Sequence, residues 1–146
     1  MRTHRFHVVR RSAAPIEAVW AVVSDHAGWS TWTSLPRSVL RREGDDDRDG
    51  VGAVREFPVG GWTTVEEVTA FQPPDLLAYR LVTGLPGVRR YEATVRLAPH
   101  GSGTRIEWSG ELEAWPGTAT ALWWVCYGVV RGLAARAAHE AERRIG

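Results

Sequence analysis

The chain has 146 residues, 44% of them hydrophobic, and a formal net charge of +1. That is long enough for one domain, taken as residues 1–146, with a sizeable core, and the even charge gives no pointer to nucleic acid or an acidic surface. A single Cys excludes a disulfide framework and fits a reducing, cytoplasmic setting.

Residues 3–12 alternate, with Phe6 and Val8 on one face, and predict a strand. The charged start (Arg2, His4, Arg5, His7) does not read as a signal peptide. Pro15 suits the first turn of a helix, and Ile16, Val19, Trp20 and Val23 give that helix an apolar stripe. Asp25 closes the turn that follows. Trp29 and Trp32, three apart, predict one turn of a second short helix. A strand is expected at 37–43, then an acidic turn from Gly44 to Gly50. Strands are expected at 51–58, 61–71, 76–84, 89–98 and 104–114. Gly60-Gly61, Pro73-Pro74-Asp75, Gly84 to Gly87 and His100 to Gly103 supply the turns. Short turns make neighbours antiparallel. Alternation puts Leu77, Tyr79 and Leu81 on a dry face with Tyr91, Ala93, Val95, Leu97, Ile106, Trp108, Gly110 and Leu112. Arg80, Arg90, Glu92, Arg96, Glu107 and Glu111 fall on the wet face.

Residues 117–146 predict one long helix, with Leu122, Cys126, Val129, Val130, Leu133, Ala137 and Ala141 at helical spacing. Thr118 is placed to cap it, and Arg143 and Arg144 suit its negative end. Residues 121–130 are apolar all round, too short a run to span a bilayer. Such a segment is expected to be covered on every face, by the sheet and by a ligand, a partner or the N-terminal helices.

The order is therefore strand, two short helices, six strands, long helix. In that order stand Pro15-Ile16-Glu17-Ala18-Val19-Trp20, Asp25, Trp29-Ser30-Thr31-Trp32 and Val51-Gly52-Ala53-Val54-Arg55. Glu66-Glu67-Val68, Pro73-Pro74, Leu77-Ala78-Tyr79, Gly84-Leu85-Pro86 and Gly103-Thr104 through Trp108 follow. With these residues the chain resembles the START-like (SRPBCC) superfamily, and within it the polyketide cyclase/dehydrase and lipid-transport branch. The resemblance covers nearly the whole chain. It implies an α+β helix-grip fold, a curved antiparallel sheet wrapped around the C-terminal helix, with a ligand cavity between them.

Fold alone does not name a chemistry. Arg55 and Glu66 are the charged positions expected at the cavity, brought opposite each other by the turn at Gly60-Gly61. One reading makes Arg55 an anchor for a ligand carboxylate or enolate and Glu66 a proton carrier. The competing reading is a structural ion pair. Tyr79 and Tyr91 are the candidate hydroxyls. Trp29, Trp32, Trp108, Trp123, Tyr127 and Gly128 are expected to line the ligand site, with Gly110 and Gly132 adding room. Eight Trp in all, Trp62 and Trp124 among them, suit a core or a cavity wall.

Asp45, Asp47, Asp49, Gly50 and Glu56 match the spacing of an EF-hand calcium loop. Strands rather than helices flank them, so a solvated hairpin loop is the reading adopted. Cys126 reads as inert core. No metal and no cofactor are expected: His spacing is irregular and no phosphate-cradling glycine loop is present. The expected partner is a small hydrophobic molecule bound by a monomer or homodimer. The alternative function is a polyketide aromatase/cyclase using Arg55 with Tyr79 or Tyr91.

Overall fold

The computed structural model describes residues 2–59 and 61–146. Among them, antiparallel strands form one seven-stranded sheet ordered β1-β7-β6-β5-β4-β3-β2. The strands are β1 (Thr3–Ser12), β2 (Val39–Arg42), β3 (Val54–Val59), β4 (Trp62–Gln72), β5 (Leu76–Thr83), β6 (Val88–His100) and β7 (Gly103–Ala114). Helix α1 (Ile16–Ser24) leads into a short 3-10 helix (His26–Thr31), and α2 (Ala119–Ile145) follows β7. This is the α+β helix-grip architecture. Gly60 of the expected turn lies outside the described residues, although Val59 pairs with Trp62 across it. No helix of the described residues is long and apolar enough to cross a membrane.

The alternation works as physics requires. Leu77, Tyr79, Tyr91, Val95, Ile106 and Trp108 are all buried on the inner face. Each large apolar side chain removed from water contributes about 1.5–3 kcal/mol before entropy is counted. On the outer face Arg5 bonds Glu111 at 2.9 Å and Arg80 bonds Glu67 at 2.7 Å. Such exposed pairs add about 0–1 kcal/mol each.

Three local departures matter. Strand β3 begins at Val54, three residues later than alternation suggests, because Gly52 takes φ +90° and Ala53 N–H closes a turn on Gly50. Register shifts at Val65/Glu66 and Val68/Ala70 change which β4 side chains point inward, and Phe71 packs on Trp20 with centroids 5.2 Å apart. Gly110 faces Phe6 across β1 and β7, and an added Cβ would sit 2.3 Å from the Phe6 ring. Its smallness therefore seats Phe6; it does not open room for a ligand.

Helix α2 packs mainly on β1, β7 and α1. Its inward stripe is small, with Ala119, Cys126, Val130, Ala134, Ala137 and Ala141 all buried, which lets helix and sheet approach closely. Sheet and short helices do not cover residues 121–130 all round. Trp124, Val125 and Val129 are 61%, 55% and 49% exposed. The physical reason is position: α2 lies over one edge of the sheet, so only part of its circumference meets protein. Thr118 does not cap with its side chain either, since its hydroxyl donates to the Trp115 carbonyl at 2.8 Å.

Candidate functional site

Strands β3 and β4 place Arg55 and Glu66 directly opposite each other. Arg55 Nε–H donates to Glu66 Oε1 at 3.0 Å. Nη2 lies 3.0 Å from the same oxygen but is not aligned for a hydrogen bond, and it is sealed from solvent. The Arg55 side chain is 0% exposed and that of Glu66 12%. The guanidinium carbon sits 4.1 Å from the centroid of the Tyr79 ring and 4.3 Å from that of Trp29, both favourable cation–π distances.

A third partner comes from the 3-10 helix. Arg55 Nη1 lies 2.9 Å from His26 Nδ1. Arginine only donates, so Nδ1 is an acceptor and the His26 proton sits on Nε2. That proton points at the Asp49 carbonyl, 2.8 Å away. Burial first, and the Arg55 charge second, lower the His26 pKa from 6.5 to about 3, against the opposing bond to Asp49. His26 is therefore a neutral strut that ties the acidic loop to Arg55.

Beyond Glu66 the interior carries hydroxyls. Trp108 Nε1–H donates to the Tyr79 hydroxyl at 3.1 Å. Burial raises the pKa of Tyr79 and Tyr91, and the Glu66 charge adds to both. Cys126 on α2 is pushed up to about 11, by burial and then by Glu66. Burial also raises the Glu66 carboxyl above its ordinary value, and Arg55 pulls it back. Among the described residues Glu66 Oε2 has no hydrogen-bond partner within 3.5 Å, whereas the Tyr91 hydroxyl donates to that of Tyr79.

The family sequence model described as polyketide cyclase / dehydrase and lipid transport matches residues 3–143. The chain belongs to this family. A search of curated proteins returned no match. Among solved structures, an aromatase/cyclase from Streptomyces is 19% identical over 99% of this chain and 97% of that one, at a TM-score of 0.81. A START superfamily protein from Mycobacterium smegmatis is 16% identical over 96% and 98%, at 0.80. Norcoclaurine synthase from Thalictrum is 17% identical over 99% and 98%, at 0.79. At such identities the likeness is one of fold.

Within this polyketide cyclase/lipid transport fold the residues singled out from sequence separate into two groups. Arg55, Glu66, Tyr79, Tyr91, Trp29 and Trp108 gather in one cluster, with Trp32 packed 5.2 Å from Trp29. Trp123, Tyr127 and Gly128 do not line it. Trp123 Nε1–H donates to the Arg5 carbonyl of edge strand β1 at 2.8 Å, and its ring stacks on Tyr127 at 5.2 Å. Tyr127 meets Phe6 edge-on, and Phe6 in turn stacks on Tyr91. Gly128 is exposed, and an added Cβ there meets nothing within 4 Å. Gly132 has no atom within 4 Å of an added Cβ either.

His26 is the site residue that sequence reasoning missed. It stands 29 positions from Arg55, and no spacing rule links them. The acidic loop is a hairpin tip: Asp47 Oδ1 accepts from Asp49 N–H at 3.0 Å, and Asp49 turns its carbonyl to His26. Two depressions of about 270 and 480 Å3 open on the outer, charged side of the sheet, near Arg96 and Glu107 and near His7 and Thr94. Both lie on the opposite face from the cluster.

Proposed function

We propose that the chain binds a small, mostly hydrophobic molecule, a lipid, polyketide or other aromatic, between the inner face of β3–β5 and the N-terminal half of α2. One observation carries this reading: α2 is seated on β1 and β7, and its opposite flank is left bare. On a helix, Trp123 and Val129 lie about 60° to either side of Cys126. Trp123 is tied to β1, so Val129, and Val125 one turn before it, look toward β4 and β5. There Glu66 and Leu81 on the inner face, and Leu122 on the helix, are only half-buried. An apolar flank above a concave sheet, with a few polar groups at its back, is how small-molecule sites are built.

The test is a thermal-shift screen of fatty and polycyclic aromatic molecules, with native mass spectrometry of the purified protein. Saturable stabilisation is expected, and it should fall when Leu81 or Val129 is changed to Asp. Binding unaffected by both substitutions would put the site elsewhere.

A second reading is aromatase/cyclase chemistry. It is favoured by one feature: Glu66 is held by Arg55, whose guanidinium lies 4.1 Å over the Tyr79 ring, so a carboxylate and a phenol sit in one buried cluster. Aldol closure of a poly-β-keto mimic should then slow at least ~100-fold in Glu66→Gln. A rate equal to wild type would dismiss it.

A further inference from the structure

We infer that one end of the molecule, formed by the β3–β4 and β5–β6 turns and the first turns of α2, docks on the surface of an anionic lipid bilayer. The inference stands on exposed side chains outside the polar cluster and does not rest on the ligand-binding reading above.

In an antiparallel meander successive connections alternate between the two ends of the sheet. The β3–β4 turn, the β5–β6 turn and the β7–α2 junction therefore share one end. The start of β1 joins them, because Thr3 pairs with Glu113 near the end of β7. Local contacts close this end up. The Trp115 N–H donates to the Gly87 carbonyl at 3.1 Å, and an added Cβ on Gly87 would sit 3.5 Å from Leu122 Cδ1 of α2. Gly84 lies against the backbone of Thr63, next to Trp62.

This end shows what the rest of the molecule hides. Trp62, Trp115 and Trp124 are 56%, 64% and 61% exposed, on β4, the β7–α2 junction and α2. Every other Trp is buried or half-buried. Single exposed apolar residues are ordinary, but three Trp at one end mark an interaction surface.

The charges choose the partner. Arg2 precedes β1, Arg89 stands at the start of β6, and Arg131 follows Trp124 by about two turns on the same side of α2; all three are exposed. None of them forms an ion pair among the described residues. Glu113 at this end is taken by Thr3 and Arg90. Asp45, Asp46, Asp47, Asp49 and Asp75 all lie at the opposite end, in the β2–β3 and β4–β5 connections. An apolar end with free Arg, and acids held away from it, matches an anionic surface. Trp rings suit the headgroup level, apolar on one side and wet on the other, where Arg meets lipid phosphates. The three rings stand on separate elements, and a fluid surface takes such projections without a matching shape. A second copy meeting this end face to face would set Arg against Arg.

The test is titration of the protein with vesicles of phosphatidylcholine, alone and with phosphatidylglycerol added. Binding is read by co-sedimentation and by quenching of Trp fluorescence with brominated acyl chains. Anionic vesicles should bind at least ~10-fold tighter than neutral ones, and raised salt should erase the difference. Brominated chains should quench the bound protein. Trp62→Ala, Trp115→Ala, Trp124→Ala and Arg89→Glu should each weaken binding ~3-fold or more. Arg11→Glu, at the opposite end, should stay within about 2-fold of wild type. All these side chains are exposed, and thermal melting checks that the variants fold. No binding of folded wild type to either vesicle, or equal binding by every variant, overturns the inference and leaves the ligand site standing. A dimer in solution that Trp124→Ala breaks, without vesicle binding, overturns it in favour of a second copy.

Discussion

At the scale of single residues, burial decides what each ionisable group does. His26 is neutral in the fold, with a pKa lowered from 6.5 to about 3. A depressed folded value means that its contribution is fully present above 6.5 and is lost as pH falls from there toward 3. Glu66 has the opposite sign: its raised value makes its own contribution largest below 4.5 and smaller as pH rises through the folded value. The difference between wild type and His26→Gln isolates the first. Urea unfolding at about pH 7.5 and about pH 5 should show wild type losing more stability on acidification than His26→Gln. Equal losses would mean that His26 is not buried beside Arg55. Arg55→Ala leaves Glu66 and His26 Nδ1 without their donor, so it should cost about 3–5 kcal/mol in the same assay. Removing both charges with apolar residues of similar volume should recover most of that loss.

At the scale of elements, α2 shows how one helix serves two surroundings. Its small inward stripe sets a close approach to β1 and β7, while Gly128 and Trp124 stand in the open. Gly128 meets nothing within 4 Å, so Gly128→Ala should stabilise the chain by about 0.5–1 kcal/mol through backbone entropy alone. Destabilisation by thermal melting would mean that another surface covers this face in solution. The acidic loop between β2 and β3 makes a second test. Asp47 accepts from the backbone N–H of Asp49 and Asp49 from that of His26, and no group of three or more His, Cys, Asp or Glu side chains gathers for a metal among the described residues. Millimolar calcium should leave the melting temperature unchanged; a saturable shift abolished by Asp47→Ala would contradict that.

At the scale of the molecule, the grip is asymmetric. The β1–β7 edge carries α2, and the β3–β5 side carries the polar cluster and the bare flank. A ligand held there stabilises the fold by mass action, about 2.7 kcal/mol at a hundredfold excess over its dissociation constant. Hydrogen exchange should report where. Amides of β4, β5 and residues 119–130 should gain protection with ligand, while those of β1 and β7 stay as they were. Protection confined to β1 and β7 would move the site to the other edge.

The sequence alone determined the order of elements, the antiparallel pairing and the dry and wet faces, because periods of 2 and 3.6 are local and repeat over many residues. It also put Arg55 opposite Glu66, since a hairpin makes register a matter of counting from the turn. Strand β3 shows the limit, starting late where Gly52 turns the chain. What only the tertiary structure decided was contact between distant segments. His26 reaches Arg55 from another element, Phe6 fills the space above Gly110, and Trp123 is held at the sheet edge by Arg5. The helical period correctly marks residues 121–130 as apolar but carries no information on which part of that circumference the sheet reaches. That depends on where α2 crosses the sheet, a distance between elements that no local pattern encodes.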